Sequence, residues 1–307
     1  MLLTQFTQYA KEVLGGGPTV ANVLLGVFTV GVALGALGCE KLSRHQVEIG
    51  LVPLGSLGTT LFTVDLYFAS RGLPSATAQS AAAFLAQSVY WRVLVDLFFL
   101  ALFAGLYSVP LYALIQTRSQ ATHRARIIAA NNILNALFLI LASGFCVLVL
   151  KVLGWTIPQL FLATAVLNLA VAVYIYGLVP EFLLRFLSWV LVSSVYRVRT
   201  QHTERIPVRG PALIVANHVS FIDALVLMAM SPRPIRFVMD VSIFRIPVIA
   251  WLFRHVKAIP IASAKQDAQL MERAFERVSE ALREGHLVCI FPEGRITDNG
   301  ELYPFRP

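Results

Sequence analysis

Five stretches of this chain are apolar over the length needed to cross a lipid bilayer, and no other feature restricts its fold as much. A helix crosses the hydrocarbon core with about 20 residues. Thr19–Cys39, Leu97–Thr117 and Ile127–Leu150 reach that length without a charged side chain. Val152–Pro180 does too, with Pro158 expected to break it near its start. Ile49–Val64 is shorter, and extends to Ala69 if Asp65 lies at head-group depth. Composition agrees: hydrophobic residues are 57% of the chain and charged ones 14%, where a soluble domain carries about 25% charged. That excludes a disordered chain and an ordinary cytosolic enzyme. The three cysteines show no metal or disulfide spacing and read as small apolar side chains. The first residues lack the charged and apolar regions of a signal peptide.

Charge divides the chain near residue 200. Residues 1–200 hold 12 Lys/Arg and 6 Asp/Glu, and residues 201–307 hold 13 and 11. The expected organisation is therefore an α-helical transmembrane region over 1–180, a joining segment over 181–200 and a water-facing domain over 201–307. Lys41, Arg44 and His45 fall in one connecting loop, and Arg118, His123, Arg124 and Arg126 in the loop two spans later. Arg185, Arg197 and Arg199 follow the last span. The intervening loops offer only Arg71, with Arg92 at the next span's entrance, and Lys151. The positive-inside rule then puts residues 200–307 in the cytoplasm and the N-terminus outside. Asp96 lies four residues after Arg92, a spacing that suits a helical ion pair near the membrane surface, and Asp65 falls near a span end. Both read as structural. The segment 181–200 is apolar and aromatic with three arginines, and reads either as the tail of the last span or as an interfacial helix.

Two stretches, GALGCEKLSRHQVEIG (35–50) and GLYSVPLYALIQTRSQATHRARIIAANNILNALF (105–138), resemble the C-terminal half of major facilitator transporters, in particular the bacterial lysophospholipid transporters. Such transporters have two six-span halves with the substrate path between them. The resemblance therefore implies that the first half and part of the second are missing here.

Beyond residue 206, short β-like runs alternate with helical patterns. ALIVA (212–216), RFVM (236–239), AIPIA (258–262) and LVCIF (287–291) read as strands. Leu270, Ala274, Val278, Ala281 and Leu282 form one helical face, with Gly285 placed to close the helix. The alternation predicts an α/β domain with a mostly parallel sheet. Asn217-His218-Val219-Ser220-Phe221-Ile222-Asp223 follows the first strand. His218 and Asp223 lie about 140° apart on an ideal helix, but they can meet if His218 lies in the strand-to-helix turn and Asp223 in the first helical turn. Ser220 as N-cap, in a Ser-x-x-Asp capping box, would set that boundary. Phe291-Pro292-Glu293-Gly294-Arg295-Ile296-Thr297 follows the last strand. There Gly294 permits close backbone approach and Arg295 can fork onto a phosphate.

The pair NHxxxxD and FPEGRxT, about 70 residues apart, resembles the glycerolipid acyltransferases that acylate lysophospholipids and 1-acylglycerol-3-phosphate. The resemblance covers roughly 200–307. It implies that Glu293, Gly294, Arg295 and Thr297 hold the glycerol phosphate of the acceptor. Acyl-acyl carrier protein or acyl-CoA would be the co-substrate, with no metal and no further cofactor. A glycerol hydroxyl must lose its proton as it attacks a thioester. His218 suits the general base and Asp223 the group that fixes its tautomer. Members of this family commonly carry an Arg between the two motifs, where this chain has only Lys257 nearby, and a Lys cannot fork. The family's later Pro-containing block is also missing, so the α/β domain is expected to be C-terminally incomplete.

The order of spans and domain resembles bacterial fusions that import and reacylate 2-acylglycerophosphoethanolamine, which implies the bacterial inner membrane. An alternative is a half transporter with a passenger cytoplasmic domain. Nucleic-acid binding is not expected: residues 201–307 carry a net charge of only +2 and no cluster of basic and aromatic residues.

Overall fold

The computed structural model describes residues 2–42, 51–74, 79–178, 180–246, 250, 253 and 256–305. It divides into two compact units, residues 1–175 and 176–307. Arg44 and His45, and with them much of the 35–50 stretch, lie outside the described residues.

The first unit is helical: α1 (Leu2–Glu12), α2 (Pro18–Leu42), α3 (Leu51–Ala69), α4 (Ala81–Ala86), α5 (Trp91–Arg118), α6 (Arg124–Val147) and α7 (Ile157–Leu178). Five of these, α2, α3, α5, α6 and α7, are long and apolar enough to cross a membrane, and they coincide with the five predicted stretches. Helices α2 and α5 touch backbone to backbone. A Cβ on Gly35 would lie 2.1 Å from the Leu102 carbonyl oxygen, and one on Gly105 2.7 Å from that of Val32. Close approach of this kind is how apolar helices associate in lipid, where no hydrophobic force separates helix from solvent. A polar tie joins α7 to α3: the Asn168 amide donates to Thr60 Oγ1 (2.8 Å) and to the Ser56 carbonyl (3.1 Å). Around α6, exposed Ile133, Phe138 and Ile140 give the outer surface a hydrocarbon-like character.

Two local expectations are corrected. Pro158 does not break its span but sits in the first turn of α7, where a missing N–H leaves no helical bond unmade. The chain break falls just before, around Gly154 at φ +67°. Arg92 does not pair with Asp96 along α5. Its Nε donates to Asp65 Oδ2 of α3 at 3.2 Å, and its Nη2 to the other carboxylate oxygen. Asp96 turns inward and is only 2% exposed. The side-by-side packing of α3 and α5 offers Arg92 an acceptor across the interface that the local spacing could not reveal.

The second unit contains α8 (Pro180–Val195), β1 (Ala212–Val215), α9 (Asp223–Met230), β2 (Ile235–Asp240), β3 (Ile259–Ile261), α10 (Ala264–Arg283) and β4 (Leu287–Ile290). The four predicted strands form one parallel sheet in the order β1-β4-β2-β3. Strand β4 is central, which explains its unbroken apolar sequence: Leu287, Val288 and Cys289 are all buried. Ile235, Phe237, Leu287 and Cys289 build one face of the core with Met228 of α9. Helix α10 packs on β3 and β4 through an amphipathic face that includes buried Ala274 and Ala281. It ends in a Schellman motif: Gly285, at φ +81°, donates to Leu282 and His286 donates to Ala281, each at 2.9 Å.

Helix α8 belongs to this second unit. Ser188 Oγ meets Met228 Sδ at 3.5 Å, and Arg185 Nη1 donates to the Pro232 carbonyl at 3.2 Å. Leu187, Leu191 and Val195, at helical spacing, remain exposed.

Candidate active site

Parallel pairing decides which loops meet. Strands β1 and β4 run side by side in register, Val215 opposite Ile290, so the segments leaving their C-terminal ends emerge together. The ladder continues past the strands: the Ala216 N–H donates to the Ile290 carbonyl at 3.2 Å and the Thr297 N–H to the His218 carbonyl at 2.9 Å. The two motifs, distant in sequence, form one surface at the sheet edge where open α/β sheets commonly bind ligands.

His218 Nδ1 lies 3.0 Å from Asp223 Oδ2. The same oxygen accepts from the backbone N–H groups of Val219 and Ser220, each at 2.8 Å. An oxygen that accepts at this position selects, for the neutral imidazole, the tautomer with the hydrogen on Nδ1, which leaves Nε2 as the ring's acceptor. Nε2 has no hydrogen-bond partner among the described residues, and the ring stacks on Phe291, centroids 4.3 Å apart and 21° from parallel. The His218 and Asp223 side chains are 21% and 17% exposed, which leaves the pair reachable but mostly out of water. Asp223 lies in the first turn of α9 as expected, but the helix starts at Asp223 itself, two residues later than a Ser220 cap would set it. The expected cap is not: Ser220 Oγ accepts from the Ile222 N–H at 3.4 Å and does not cap the helix, whereas the Asp223 carboxylate binds the turn in front of it.

The residues of the second loop differ in their surroundings. Glu293 is 2% exposed and both carboxylate oxygens are engaged: Oε1 accepts from the His218 N–H at 2.8 Å and Oε2 from the Tyr303 N–H at 3.0 Å. It is a strut between two loops. Thr297 is also buried, its hydroxyl donating to the Glu301 carbonyl at 2.8 Å and accepting from the Gly300 N–H at 3.1 Å. Gly294, at φ +62°, closes the turn by donating to the Phe291 carbonyl at 3.0 Å. A left-handed φ there favours glycine for backbone reasons alone. Arg295, like Gly294, is exposed. Its guanidinium lies over the Tyr303 ring at 4.0 Å and makes no ion pair among the described residues. Lys257 is not part of the surface. It precedes β3, at the opposite edge of the sheet, with Nζ 3.9 Å from Glu181 Oε1.

Cys289 is fully buried in β4, and burial pushes its thiol up to about 12, which leaves it inert at neutral pH. No cluster of metal-binding side chains occurs among the described residues. Sequence reading missed the strut role of Glu293 and the contribution of Phe291 and Tyr303. A stack and a backbone-to-carboxylate bond leave no local pattern.

Comparison with known proteins places this surface. Residues 197–307 match the family model described as acyltransferase. The chloroplast 1-acyl-sn-glycerol-3-phosphate acyltransferase of Arabidopsis thaliana is 27% identical over 127 residues, 41% of this chain and 35% of that protein. The lyso-ornithine lipid O-acyltransferase of Pseudomonas aeruginosa is 33% identical over 97 residues, 32% of this chain and 36% of that protein. The human 1-acyl-sn-glycerol-3-phosphate acyltransferase beta is 27% identical over 125 residues, 39% of this chain and 44% of that protein. The matched part of this chain thus spans well under half the length of each relative. No solved structure matches the chain.

Proposed function

We propose that the protein is a membrane-bound O-acyltransferase that moves a fatty acyl group from an acyl thioester to the free hydroxyl of a lysophospholipid. The observation that carries this reading is the His218–Asp223 pair at 3.0 Å with Nε2 unpaired, lying in a segment that matches the acyltransferase family. The acceptor hydroxyl gives its proton to His218 Nε2 while its oxygen attacks the thioester carbonyl. Asp223 holds the imidazole in the competent tautomer and balances the imidazolium that forms. The tetrahedral intermediate collapses to the new ester, and the proton on Nε2 leaves with the thiolate of the carrier. Arg295 receives the phosphate of the acceptor as a fork. The acyl donor is an acyl-acyl carrier protein or acyl-CoA, and the acceptor is of the 1-acylglycerol-3-phosphate or 2-acylglycerophosphoethanolamine type. The setting is the bacterial inner membrane with the domain on the cytoplasmic side. The exposed apolar stripe of Leu187, Leu191 and Val195, on a helix that starts one residue after the last span, supports a domain held at the lipid surface.

The test is acylation of lysophospholipid by the full chain in proteoliposomes. Removing a general base costs about 100- to 10,000-fold in rate, so His218→Ala should fall by at least that lower factor, with membrane insertion unchanged. Asp223→Asn should fall too. Near-native turnover by His218→Ala would dismiss the mechanism.

A half transporter with a passenger domain is the second reading. It draws on a cleft of about 460 Å³ in the helical unit, lined by Lys11, Glu12, Tyr67, Arg71 and Gln159 among others. Lysophospholipid uptake that persists in His218→Ala and is lost in Lys11→Ala/Arg71→Ala favours it.

A further inference from the structure

We infer that Tyr303 is a positioning residue for phosphate recognition: its ring is the platform that fixes the Arg295 guanidinium toward the acceptor's phosphate. The inference rests on the acyltransferase reading for the identity of the ligand, but its geometry is independent of it. Arg295 lies on an exposed turn after Gly294, and a guanidinium there has a long flexible stem and no ion-pair partner among the described residues to hold it. The Tyr303 ring lies beneath it, with Cζ 4.0 Å from the ring centroid. Stacking on the ring restrains the guanidinium and leaves its edge N–H groups free, the part that forks onto phosphate.

The platform is itself anchored at both ends. The Tyr303 backbone N–H donates to Glu293 Oε2 at 3.0 Å, and its hydroxyl donates to Asp298 Oδ2 at 3.1 Å. Through Glu293 the anchor reaches the base, because the other carboxylate oxygen holds the His218 N–H at 2.8 Å. One buried carboxylate therefore sets the spacing between the proton acceptor and the platform under the phosphate ligand. This arrangement separates two functions on one frame. The ring of Tyr303 governs how tightly the charged end of the acceptor is held, and the Tyr303 main chain belongs to the frame that places His218.

That separation makes the inference testable. Tyr303→Leu removes the ring and keeps the backbone bond to Glu293, whereas Tyr303→Phe keeps both and loses only the hydroxyl. The probes are a short-chain 1-acylglycerol-3-phosphate and the matched phosphate-free monoacylglycerol, with equilibrium binding to the full chain in detergent as the first readout. A cation–π contact of about 0.5–2 kcal/mol corresponds to roughly a 2- to 30-fold change in affinity. Tyr303→Leu should weaken binding of the phosphate-bearing probe within that range, leave the monoacylglycerol unaffected, and be restored by Tyr303→Phe. In turnover, KM for the phosphate acceptor should rise by the same factor while kcat and KM for the acyl donor stay within about twofold of wild type. Equal binding by wild type and Tyr303→Leu overturns the inference. So does equal damage in the Leu and Phe variants, or loss of affinity for both probes alike. If the wild-type chain binds the phosphate probe but transfers no acyl group, the acyltransferase reading fails while the role of Tyr303 is still decided by the binding series.

Discussion

Glu293 carries the strongest prediction at the scale of single residues. Its two oxygens each accept from a backbone N–H, one of His218 and one of Tyr303. A glutamine side chain has one acceptor and one donor group, so Glu293→Gln must leave one of those buried N–H groups facing another donor. A buried donor without an acceptor costs about 1–3 kcal/mol. The variant should melt earlier and lose activity, and Glu293→Asp, which keeps both acceptors, should lose less. A variant with native melting and native turnover would contradict the strut. The residue's importance is visible in the sequence as part of the FPEGR block, but its task is not. A sequence pattern gives a carboxylate beside an arginine and suggests ligand binding; only the fold shows that the carboxylate is spent on the main chain. Asp96 and Arg92 teach the same lesson. Local spacing offered them to each other, and tertiary packing gave Arg92 to Asp65.

Among the elements, the five apolar helices and four strands were legible because length and apolar continuity record burial directly. Their neighbours were not. Nothing local in LVCIF says that β4 inserts between β1 and β2, or that α2 lies against α5. The second contact has a measurable consequence. Gly35 has the Leu102 backbone where its Cβ would stand, whereas Gly26 in the same helix has nothing within 4 Å. Overpacking costs about 1–3 kcal/mol, and more where the obstacle is backbone. Gly35→Val should therefore lower the thermal stability of the purified protein in detergent and Gly26→Val should not. Equal melting of the two variants would argue against the α2–α5 contact. Helix α8 was left between two readings because its sequence is apolar on every side. The structure assigns one face to α9 and leaves the opposite stripe exposed.

For the whole molecule, the charge content changes near residue 200, whereas the compact units divide after residue 175, which puts α8 in the second. Orientation is the property that charge predicts and that coordinates alone do not carry. With basic loops inside, the α6–α7 connection is expected to face outward and residues 200–307 to face the cytoplasm. The native cysteines are buried and should give little background. In intact cells, Leu153→Cys should react with a membrane-impermeant maleimide, and Lys265→Cys, exposed on α10, should react only after permeabilisation. Labelling in the reverse order would invert the topology.

The in-register pairing of β1 with β4 also has a consequence for the order in which the protein is made. Synthesis proceeds from the N-terminus and domains fold as units. His218 and Asp223 leave the ribosome early, but the strand beside β1 and the carboxylate that holds the His218 N–H are both encoded about 70 residues later. Until that late segment arrives, the imidazole has its aspartate but lacks the Glu293 anchor and the Phe291 ring beside it. The two motifs therefore come together only once β4 is made and pairs with β1.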